Sequence, residues 1–329
     1  MEKFPFIQVG VGNRGAQILG DLLAGHADRF EPLALVDVVE AYLTQARETH
    51  GLQEIAAYGE LSAALAAQPE AEVVVVVTPA RYHAALVREA LEAGKHVWVE
   101  KPLTYSYSEA QELAALAKRR GRAVVIGNQY QYGLLERQLQ RLVQSGDYGD
   151  PYLLMYAHHR HRPVMRAFTG KYPALWEQGV HSLDSILAIL GHPDLRSVYA
   201  LGMNPAHSNY NSDTMTNVLT EFGNGVQAHL LVTFDSQNND WSIRVECAEA
   251  ALQLLPGRGR IEVLSEGEEP RIFGPAEDLD PDIRDPYMAL YSSITTGKTT
   301  PTAIEVNLKT IQWIDAAVRS LDTGSVVTF

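Results

Sequence analysis

The amino-acid sequence predicts a two-domain protein of the α/β class: an N-terminal doubly wound parallel sheet, then an α+β domain with a large, mostly antiparallel sheet. In residues 1–127, short apolar runs alternate strictly with segments of helical periodicity. Later in the chain, strand-like segments follow one another with only short turns between them. The 329 residues suffice for two hydrophobic cores of ordinary size. We therefore divide the chain into domains of residues 1–127 and 128–329.

The first domain alternates strands with helices from its start. FPFIQVGVG and EPLALVDV have the β-branched and aromatic bias of buried strands, and AQILGDLLAGH between them repeats apolar residues at helical spacing. The later helices and strands are AYLTQARETHG, ELSAALAAQ, AEVVVVVTP, RYHAALVREALEAG, KHVWVE, SEAQELAALAKRRG and AVVIGNQ. Strict alternation is typical of right-handed βαβ units, so we expect a parallel sheet with helices on both faces.

The second domain opens with a helix and is rich in strands. QYGLLERQLQRLVQSG is amphipathic with helical period, and PYLLMYAHHRHRP is a strand that becomes polar toward its end. Five further strand-like segments follow: SVYALGM, TNVLTEF, VQAHLLVTF, WSIRVECAE and AALQLL. Since no helical pattern separates them, they predict antiparallel neighbours, and IEVNLKTIQWIDAAVRSLDTG predicts a late helix.

Composition narrows the class of partner. With 27 Lys and Arg against 40 Asp and Glu, the chain has a net charge of −13, which disfavours nucleic acid and anionic membranes as main partners. Cys247 is the single cysteine, so no disulfide can form within the chain. The start carries no signal-peptide pattern, and no segment approaches the roughly 20 apolar residues of a membrane span. We expect a soluble cytoplasmic protein that acts on a small molecule.

The turn after the first strand has the spacing of a dinucleotide site. VGVGNRG places Gly10, Gly12 and Gly15 in the pattern G-x-G-x-x-G between a strand and a helix, with Asn13 and Arg14 inside it. Gly10 allows the tight turn, Gly12 lets the backbone approach a pyrophosphate, and Gly15 lets helix and strand pack closely. The N–H groups of the helix start then face the anion. We assign all five residues to cofactor binding.

Asp37 closes the second predicted strand, 22 residues after Gly15. A carboxylate at this place accepts hydrogen bonds from both adenosine ribose hydroxyls and repels a 2′-phosphate. This favours NAD over NADP as cofactor. Arg14 leaves NADP open as the less favoured alternative, and it could instead touch the pyrophosphate or stack on adenine.

Polar residues follow the predicted strands VVVVV and HVWV, at the sheet edge where ligands lie. Thr78, Pro79 and His83 come after VVVVV, and Glu100 and Lys101 come after HVWV. Because the residue before a proline is held extended or in a turn, the Lys101 ammonium can point into the ligand cleft. From position alone, an ordinary surface lysine and a helix-surface histidine stay open as alternatives.

The segment WEQGVHSLDSILAILG starts a predicted helix in the second domain. Glu177, His181 and Asp184 are spaced by four and three residues, so their side chains share one helical face. Neutral imidazole accepts a proton near neutral pH, which makes His181 a candidate general base. A core position for His181 and a helix-internal ion pair for Asp184 are the alternatives.

Together these residues resemble the glucose/fructose oxidoreductase and inositol dehydrogenase family (Gfo/Idh/MocA), above all in GKHVWVEKPLT. The resemblance implies a Rossmann domain for residues 1–127, in which Lys101 of the E-K-P triplet contacts both the nicotinamide ribose and the reacting hydroxyl. The family usually carries D-x-G-x-H where this chain has E-x-G-x-H, so Glu177 replaces an aspartate. Gln129 lies where the family often has an arginine, and we place it near the cofactor. The resemblance also implies a homodimer or homotetramer formed through the second domain's sheet.

One functional hypothesis follows from the residues and the resemblance. We expect an NAD-dependent sugar or cyclitol dehydrogenase that transfers a hydride between nicotinamide and a secondary alcohol or ketone. In this hypothesis His181 is the general acid/base, Lys101 stabilises alkoxide charge, and Glu177 orients the histidine or binds substrate. The alternatives are an NAD-using glycosidase that oxidises the sugar transiently, and a non-catalytic nucleotide or sugar sensor.

Substrate contacts are expected from the segment YAHHRHRPVMRAFTGKYPALW. Strand alternation sends His159 and His161 to one face and His158, Arg160 and Arg162 to the other. Metal binding is not predicted, because no carboxylate or cysteine has ligand spacing to these histidines. The predicted substrate-binding residues are Lys101, His159, His161, Tyr172, Trp176, Glu177 and His181.

Overall fold

The structure, a computed structural model, describes residues 2–164, 170–277 and 280–329. The chain divides into two compact units, Met1–Gly127 with Pro281–Leu308, and Asn128–Asp280 with Lys309–Phe329. Residues 281–308, which the division by sequence assigns to the second domain, therefore pack within the first unit. Among the described residues, no helix is both long and apolar enough to cross a membrane.

The first unit contains a six-stranded parallel sheet. Its elements up to residue 127 are β1 (Phe4–Val9), α1 (Asn13–Gly25), β2 (Phe30–Val36), α2 (Glu40–His50), β3 (Ala56–Tyr58), α3 (Leu61–Ala67), β4 (Val73–Val76), α4 (His83–Glu92), β5 (His96–Val99), α5 (Tyr107–Arg120) and β6 (Val124–Ile126). The strand order is β3-β2-β1-β4-β5-β6, and every neighbouring pair is parallel. In this doubly wound order the topology switches between β1 and β4, where the carboxyl ends of the strands bind ligands.

Local sequence explains these elements. The four valines of β4 are all buried, as expected for a central strand with both faces covered. At the start of α5, the Ser106 hydroxyl accepts a hydrogen bond from the Glu109 N–H, and Gly121 ends the helix in the left-handed conformation. Lys118, Arg119 and Arg120 lie in the last turn of α5, where their positive charges stabilise the negative end of the helix dipole.

The second unit contains a nine-stranded sheet. Its elements are α6 (Leu134–Gln144), β7 (Pro151–His161), α7 (Val180–Leu190), β8 (Leu195–Met203), β9 (Met215–Phe222), β10 (Gln227–Thr233), β11 (Asp235–Cys247), β12 (Ala251–Leu255), β13 (Arg260–Leu264) and β14 (Arg271–Phe273). The remaining elements of the chain are α8 (Pro286–Thr296), α9 (Ile304–Thr323) and β15 (Val327–Thr328). Sheet order is β14-β13-β12-β11-β7-β10-β9-β8-β15. β7 and β10 pair in parallel, whereas the other described pairs in this sheet are antiparallel. The predicted fold class is confirmed.

One face of the second sheet forms the core of its unit. Buried and partly exposed residues alternate along β7, with Leu154, Tyr156 and His158 on the buried face. From Val180 to Ile189, α7 is buried on all sides. Trp313 of α9 is fully buried and donates its indole N–H to Thr220 at 2.8 Å. The helix that carries His181 therefore lies inside the unit, where neighbouring side chains determine its orientation.

Candidate functional site

The glycine turn between β1 and α1 accepts no side chain at two of its positions. Gly10 has a φ of 88°, and a Cβ there would lie 2.5 Å from the Val77 carbonyl oxygen. A Cβ on Gly15 would collide with the Gly10 carbonyl oxygen. The fully buried side chain of Gln8 closes the turn, because its Nε2 donates to the carbonyls of Gly10 at 3.1 Å and Gly15 at 2.7 Å.

The start of α1 can receive an anion. Its cap residue is Gly12, and within the described chain no side chain caps the helix and no acidic residue occupies its first turn. The first N–H groups and the positive dipole end therefore remain available to a pyrophosphate. This combination of a glycine cradle and an uncapped helix start fits a dinucleotide, with Asn13 and Arg14 as the first helical residues.

Asp37 lies directly beside the turn. Its two carboxylate oxygens accept hydrogen bonds from the backbone N–H groups of Val11 and Val39, both at 2.9 Å. The Tyr42 ring lies 3.5 Å from where a Cβ on Gly12 would stand. The carboxylate is thus held at the end of β2, the position from which it was predicted to meet the adenosine ribose.

Arg14 links the turn to the E-K-P triplet. Its Nε and Nη2 both lie 2.8 Å from Glu100 Oε1, and Glu100 Oε2 accepts the Lys101 N–H at 2.8 Å. Glu100 is buried and Lys101 is partly exposed after the end of β5. Because Arg14 is engaged with Glu100, its geometry supports a positioning role more than recognition of a 2′-phosphate.

His83 connects the loops after β4 and β5. Its Nε2 lies 2.7 Å from the Thr78 carbonyl oxygen and its Nδ1 lies 2.8 Å from the Pro102 carbonyl oxygen. The ring is buried, and this burial lowers the pKa of His83, while the two carbonyls and Glu100 oppose the shift. Both nitrogens lie within hydrogen-bond distance of a backbone carbonyl, and the N–H of the neutral ring can donate to one of the two. His83 is therefore better placed to hold the two loops than to contact a cofactor. Pro79 itself is exposed beside this contact.

The E-x-G-x-H segment is not a regular α-helix. Leu175–Gly179 forms a π-helical turn that leads into α7, a feature often found at functional sites. Glu177 lies in this turn and its Oε2 is 2.8 Å from Arg162 Nη1. A Cβ on Gly179 would lie 2.9 Å from Leu175 Cδ1 and 3.6 Å from Val232 of β10. Glycine thus allows the helix to approach the sheet closely.

His181 stacks on an aromatic ring to which the sequence analysis gave no role. The ring centroids of Tyr130 and His181 are 4.5 Å apart with an interplanar angle of 15°. The Tyr130 hydroxyl accepts a hydrogen bond from Gln178 Nε2 at 3.0 Å. His181 is only 6% exposed, so this stack and its helix determine the direction of the imidazole.

Asp184, the third member of the predicted face, has a structural role. One carboxylate oxygen accepts from Gln131 Nε2 at 2.5 Å, and the other accepts from Thr310 Oγ1 at 2.7 Å. The residue is fully enclosed between these partners. Asp184 therefore connects α7 to α9 and leaves His181 and Glu177 as the functional candidates of this segment.

The two faces of β7 carry the residue sets that alternation predicts, but the set assigned to substrate binding is not the one near His181. His158, on the buried face, stacks with Tyr130 at 6.0 Å and hydrogen bonds through Nδ1 to Ser182 at 3.2 Å. His159 lies on the opposite face, and exposed His161 bonds through Nδ1 to the Ser236 carbonyl at 2.8 Å. Packing thus puts the set of His158, Arg160 and Arg162, rather than His159 and His161, on the face near His181.

Tyr172 and Trp176 belong to the hydrophobic core of the second unit. Tyr172 adopts a left-handed φ of 59° and donates its hydroxyl to Asp322 at 2.9 Å. Burial is the main cause that raises the pKa of Tyr172 to about 12. Both residues are about as enclosed as His181, and their contact with substrate stays a prediction. Arg166, in the same segment, lies outside the described residues.

The other predictions concern single positions. Gln129 is exposed on the short 3-10 turn Gln129–Tyr132, and its cofactor contact stays a prediction. No group of three metal-ligating side chains occurs in the ranges that the structure describes.

Sequence reasoning assigned no role to Gln8 or Tyr130. Gln8 had one usable signal, since an amide stands inside an otherwise apolar strand two residues before Gly10.

Both domains of the chain are similar to domains of known proteins. Residues 5–128 match the family model described as "Oxidoreductase family, NAD-binding Rossmann fold", and residues 137–253 match the GFO/IDH/MocA C-terminal domain. The oxidoreductase YhhX of Escherichia coli is 34% identical over 38% of this chain and 37% of its own length. D-glucoside 3-dehydrogenase of E. coli is 30% identical over 51% of this chain and 50% of its own length.

The chain spans between 37% and 66% of the length of the first four curated relatives it matches. The crystal structure of an inositol dehydrogenase homolog from Azotobacter vinelandii superposes with a TM-score of 0.85 at 19% identity, covering 100% of this chain and 98% of that one. That likeness shows the fold. Both family models describe domains of one family, so the chain belongs to the Gfo/Idh/MocA oxidoreductases, with an N-terminal NAD-binding Rossmann domain.

Proposed function

We propose that the protein is an NAD-dependent dehydrogenase or reductase acting on a secondary alcohol or ketone of a sugar, cyclitol or sugar derivative. One observation carries the proposal: Arg14 of the glycine turn holds Glu100, and Glu100 holds the backbone of Lys101. A cationic ammonium is thereby tied to the dinucleotide turn. An ammonium at this place suits an oxygen that gains negative charge while its carbon gives up a hydride.

Bound nicotinamide supplies the hydride acceptor or donor. Lys101 orients the substrate hydroxyl and stabilises the alkoxide charge that develops as the proton leaves. His181 takes that proton on a ring nitrogen, and the flat stack on Tyr130 limits the directions in which it can do so. Glu177, held by Arg162, fixes the polar surroundings of the histidine. In the reductive direction His181 returns the proton to the oxygen.

The preference for NAD over NADP is part of the proposal. The Asp37 carboxylate, held by the N–H groups of Val11 and Val39, would repel a 2′-phosphate. Arg14, paired with Glu100, is not positioned to offset that repulsion. We expect kcat/KM with NAD to exceed that with NADP by at least about tenfold, and Asp37→Ser to reduce this ratio.

The sugar-like substrate class is supported by the relative named D-glucoside 3-dehydrogenase.

Association through the outer face of the second sheet is a further part of the proposal. Leu201 and Leu219 on neighbouring strands are 53% and 47% exposed, and Tyr199, two residues before Leu201 on β8, is paired with Leu219. An apolar patch of this kind suits a second copy of the chain. Light scattering of the purified protein, before and after Leu219→Glu, tests this point.

The reaction is tested by changing Lys101 and His181 together to alanine. Absorbance of reduced nicotinamide would be followed with NAD and a panel of sugars, sugar acids and inositols. Loss of acid/base and electrostatic stabilisation predicts a fall in turnover of at least ~100-fold. The control changes the exposed residues Lys118 and His207 to alanine and should keep wild-type turnover.

Two outcomes would contradict the proposed function. Turnover of the double variant within tenfold of wild type would exclude the assigned residues. Sugar release from a glycoside without net formation of reduced nicotinamide would favour an NAD-using glycosidase instead.

A further inference from the structure

We propose that Arg160 is a specificity-determining residue that binds a carboxylate of the substrate, so that the preferred substrates are sugar acids rather than neutral sugars or inositols. The inference rests on the proposed function and names the substrate class for the same site.

Arg160 lies on the face of β7 that carries the functional cluster. Alternation along the strand places His158, Arg160 and Arg162 on one face. His158 stacks with Tyr130, and Tyr130 stacks with His181. After burial, the charge of Arg160 lowers the pKa of His158 most, ahead of the charge of Arg162. Arg160 is therefore a near neighbour of the aromatic group that holds the candidate general base.

The charge of Arg160 is not balanced by the chain as described. Arg162, the next residue on this face, is paired with Glu177 and lies 4.5 Å over the Phe234 ring. Arg160 forms no hydrogen bond or ion pair within residues 2–164, 170–277 and 280–329, and its Nε is shielded from solvent without an acceptor. A guanidinium stays charged at all physiological pH values. Removing part of it from water costs free energy unless an anion approaches.

The acidic side chains nearest in the sheet register are engaged elsewhere. Asp235, which pairs with His161 across the strands, accepts a hydrogen bond from the Thr214 hydroxyl. Asp240, opposite His159, accepts the Trp241 N–H at 2.8 Å. Arg160 is therefore a partly buried cation that can accept an anion from outside the chain.

The geometry of the Arg160 guanidinium indicates which anionic group it binds. Its planar fork offers two parallel N–H donors that match the two oxygens of a carboxylate or a phosphoryl group. Because Glu177 already neutralises Arg162, one positive charge remains on this face for an incoming group. A single carboxylate balances that charge, whereas a phosphate near neutral pH carries more than one negative charge. The geometry therefore favours a sugar acid over a sugar phosphate.

The experiment compares matched substrates on wild type, Arg160→Gln and Arg160→Lys. Glucuronate is paired with glucose, galacturonate with galactose, and glucose 6-phosphate with glucose. For Arg160→Gln we expect kcat/KM for the uronates to fall by about 10- to 150-fold, the range for a lost charged hydrogen bond. The neutral sugars should change by less than about threefold, since they meet no charge there. Arg160→Lys should lie between, because it keeps the charge without the fork.

Arg196→Gln is the matched control. Arg196 is exposed on β8 and paired with Glu221 on the neighbouring strand. Its loss should leave both substrate classes unchanged. Thermal denaturation of each variant verifies folding, and Arg160→Gln is expected to fold because it breaks no described contact.

Several results would overturn the inference while leaving the proposed function intact. These are equal kcat/KM for neutral sugars and uronates in the wild type, or an equal loss for both classes in Arg160→Gln. A preference for glucose 6-phosphate over the uronates would mean that Arg160 binds a phosphoryl group rather than a carboxylate. If no compound is turned over, thermal shifts by uronates still decide: stabilisation of wild type but not of Arg160→Gln supports the inference, and no stabilisation of wild type overturns it.

Discussion

Arg162 Nη1 lies 2.8 Å from Glu177 Oε2, and the two side chains are only 16% and 22% exposed. Glu177 is the residue that departs from the D-x-G-x-H pattern, and it does so inside a π-helical turn. The extra methylene of glutamate extends the carboxylate by about one carbon–carbon bond toward β7. The departure from the pattern is therefore coupled to an arginine that directly follows β7, and the two residues form one ion pair.

The pair predicts a measurable coupling. Glu177→Gln should lower the free energy of unfolding by about 1–3 kcal/mol, because it leaves Arg162 partly buried without its anion. Arg162→Met should cost a similar amount, and the double variant should cost less than the two single changes together. Urea unfolding of the four proteins measures the coupling. Additive losses would show that the ion pair contributes nothing to stability.

The fold was predictable because the periodicity of hydrophobic residues and the turn residues between segments indicate each helix and strand from the local sequence. The alternation of helical and strand-like segments predicted the parallel sheet, and the run of strands after α7 predicted the second sheet. The short strands β3 and β13 to β15 and the helix α8 were not predicted. Each is brief or lies next to an acidic, proline-rich segment, so tertiary pairing rather than local pattern determines it.

At the site, motif residues could be named but their partners could not. The face of β7 that meets α7 depends on its pairing with β10 and β11, which alternation alone does not specify. The π turn likewise depends on packing of Gly179 against Val232. For this reason His159 was preferred to His158, and the stack of Tyr130 on His181 was not foreseen.

Tyr130 is expected to act as a positioning residue for His181. Tyr130→Phe keeps the ring and loses only the bond from Gln178, so kcat should fall by less than about fivefold. Tyr130→Ala removes the stack, worth about 0.5–1.5 kcal/mol, and should lower kcat by about tenfold or more with a shifted pH–rate profile. Unchanged pH profiles in both variants would assign Tyr130 a purely structural role.

His83 is expected to couple the two loops that follow β4 and β5. His83→Leu removes the ring N–H that donates to one of the Thr78 and Pro102 carbonyls and should destabilise the protein by about 1–3 kcal/mol. His83→Gln and His83→Asn each keep one amide donor and should be intermediate. Because Pro102 follows Lys101, a less ordered loop should misplace Lys101 and lower kcat. The affinity for reduced nicotinamide, measured by fluorescence titration, should stay nearly unchanged. A large loss of that affinity would instead support direct cofactor contact by His83.

His158 predicts a decline of stability in mild acid. Burial lowers the pKa of His158 from 6.5 to about 3, with the charges of Arg160 and Arg162 acting in the same direction. Between these pH values the unfolded chain binds more protons at this residue than the folded chain. Its contribution to stability is therefore complete above about pH 6.5 and is lost as pH falls, by up to about 1.4 kcal/mol per pH unit.

Comparison of wild type with His158→Phe isolates this effect. Phenylalanine retains the stacked ring but does not titrate, so other histidines contribute equally to both proteins and cancel in the difference. Between pH 6.5 and 4.5 the stability of the variant relative to wild type should rise by about 2–3 kcal/mol in urea unfolding. The exposed residue His207, changed to asparagine, serves as control and should follow the wild-type pH dependence. Parallel curves for wild type and His158→Phe would mean that His158 takes up its proton without cost in the folded state.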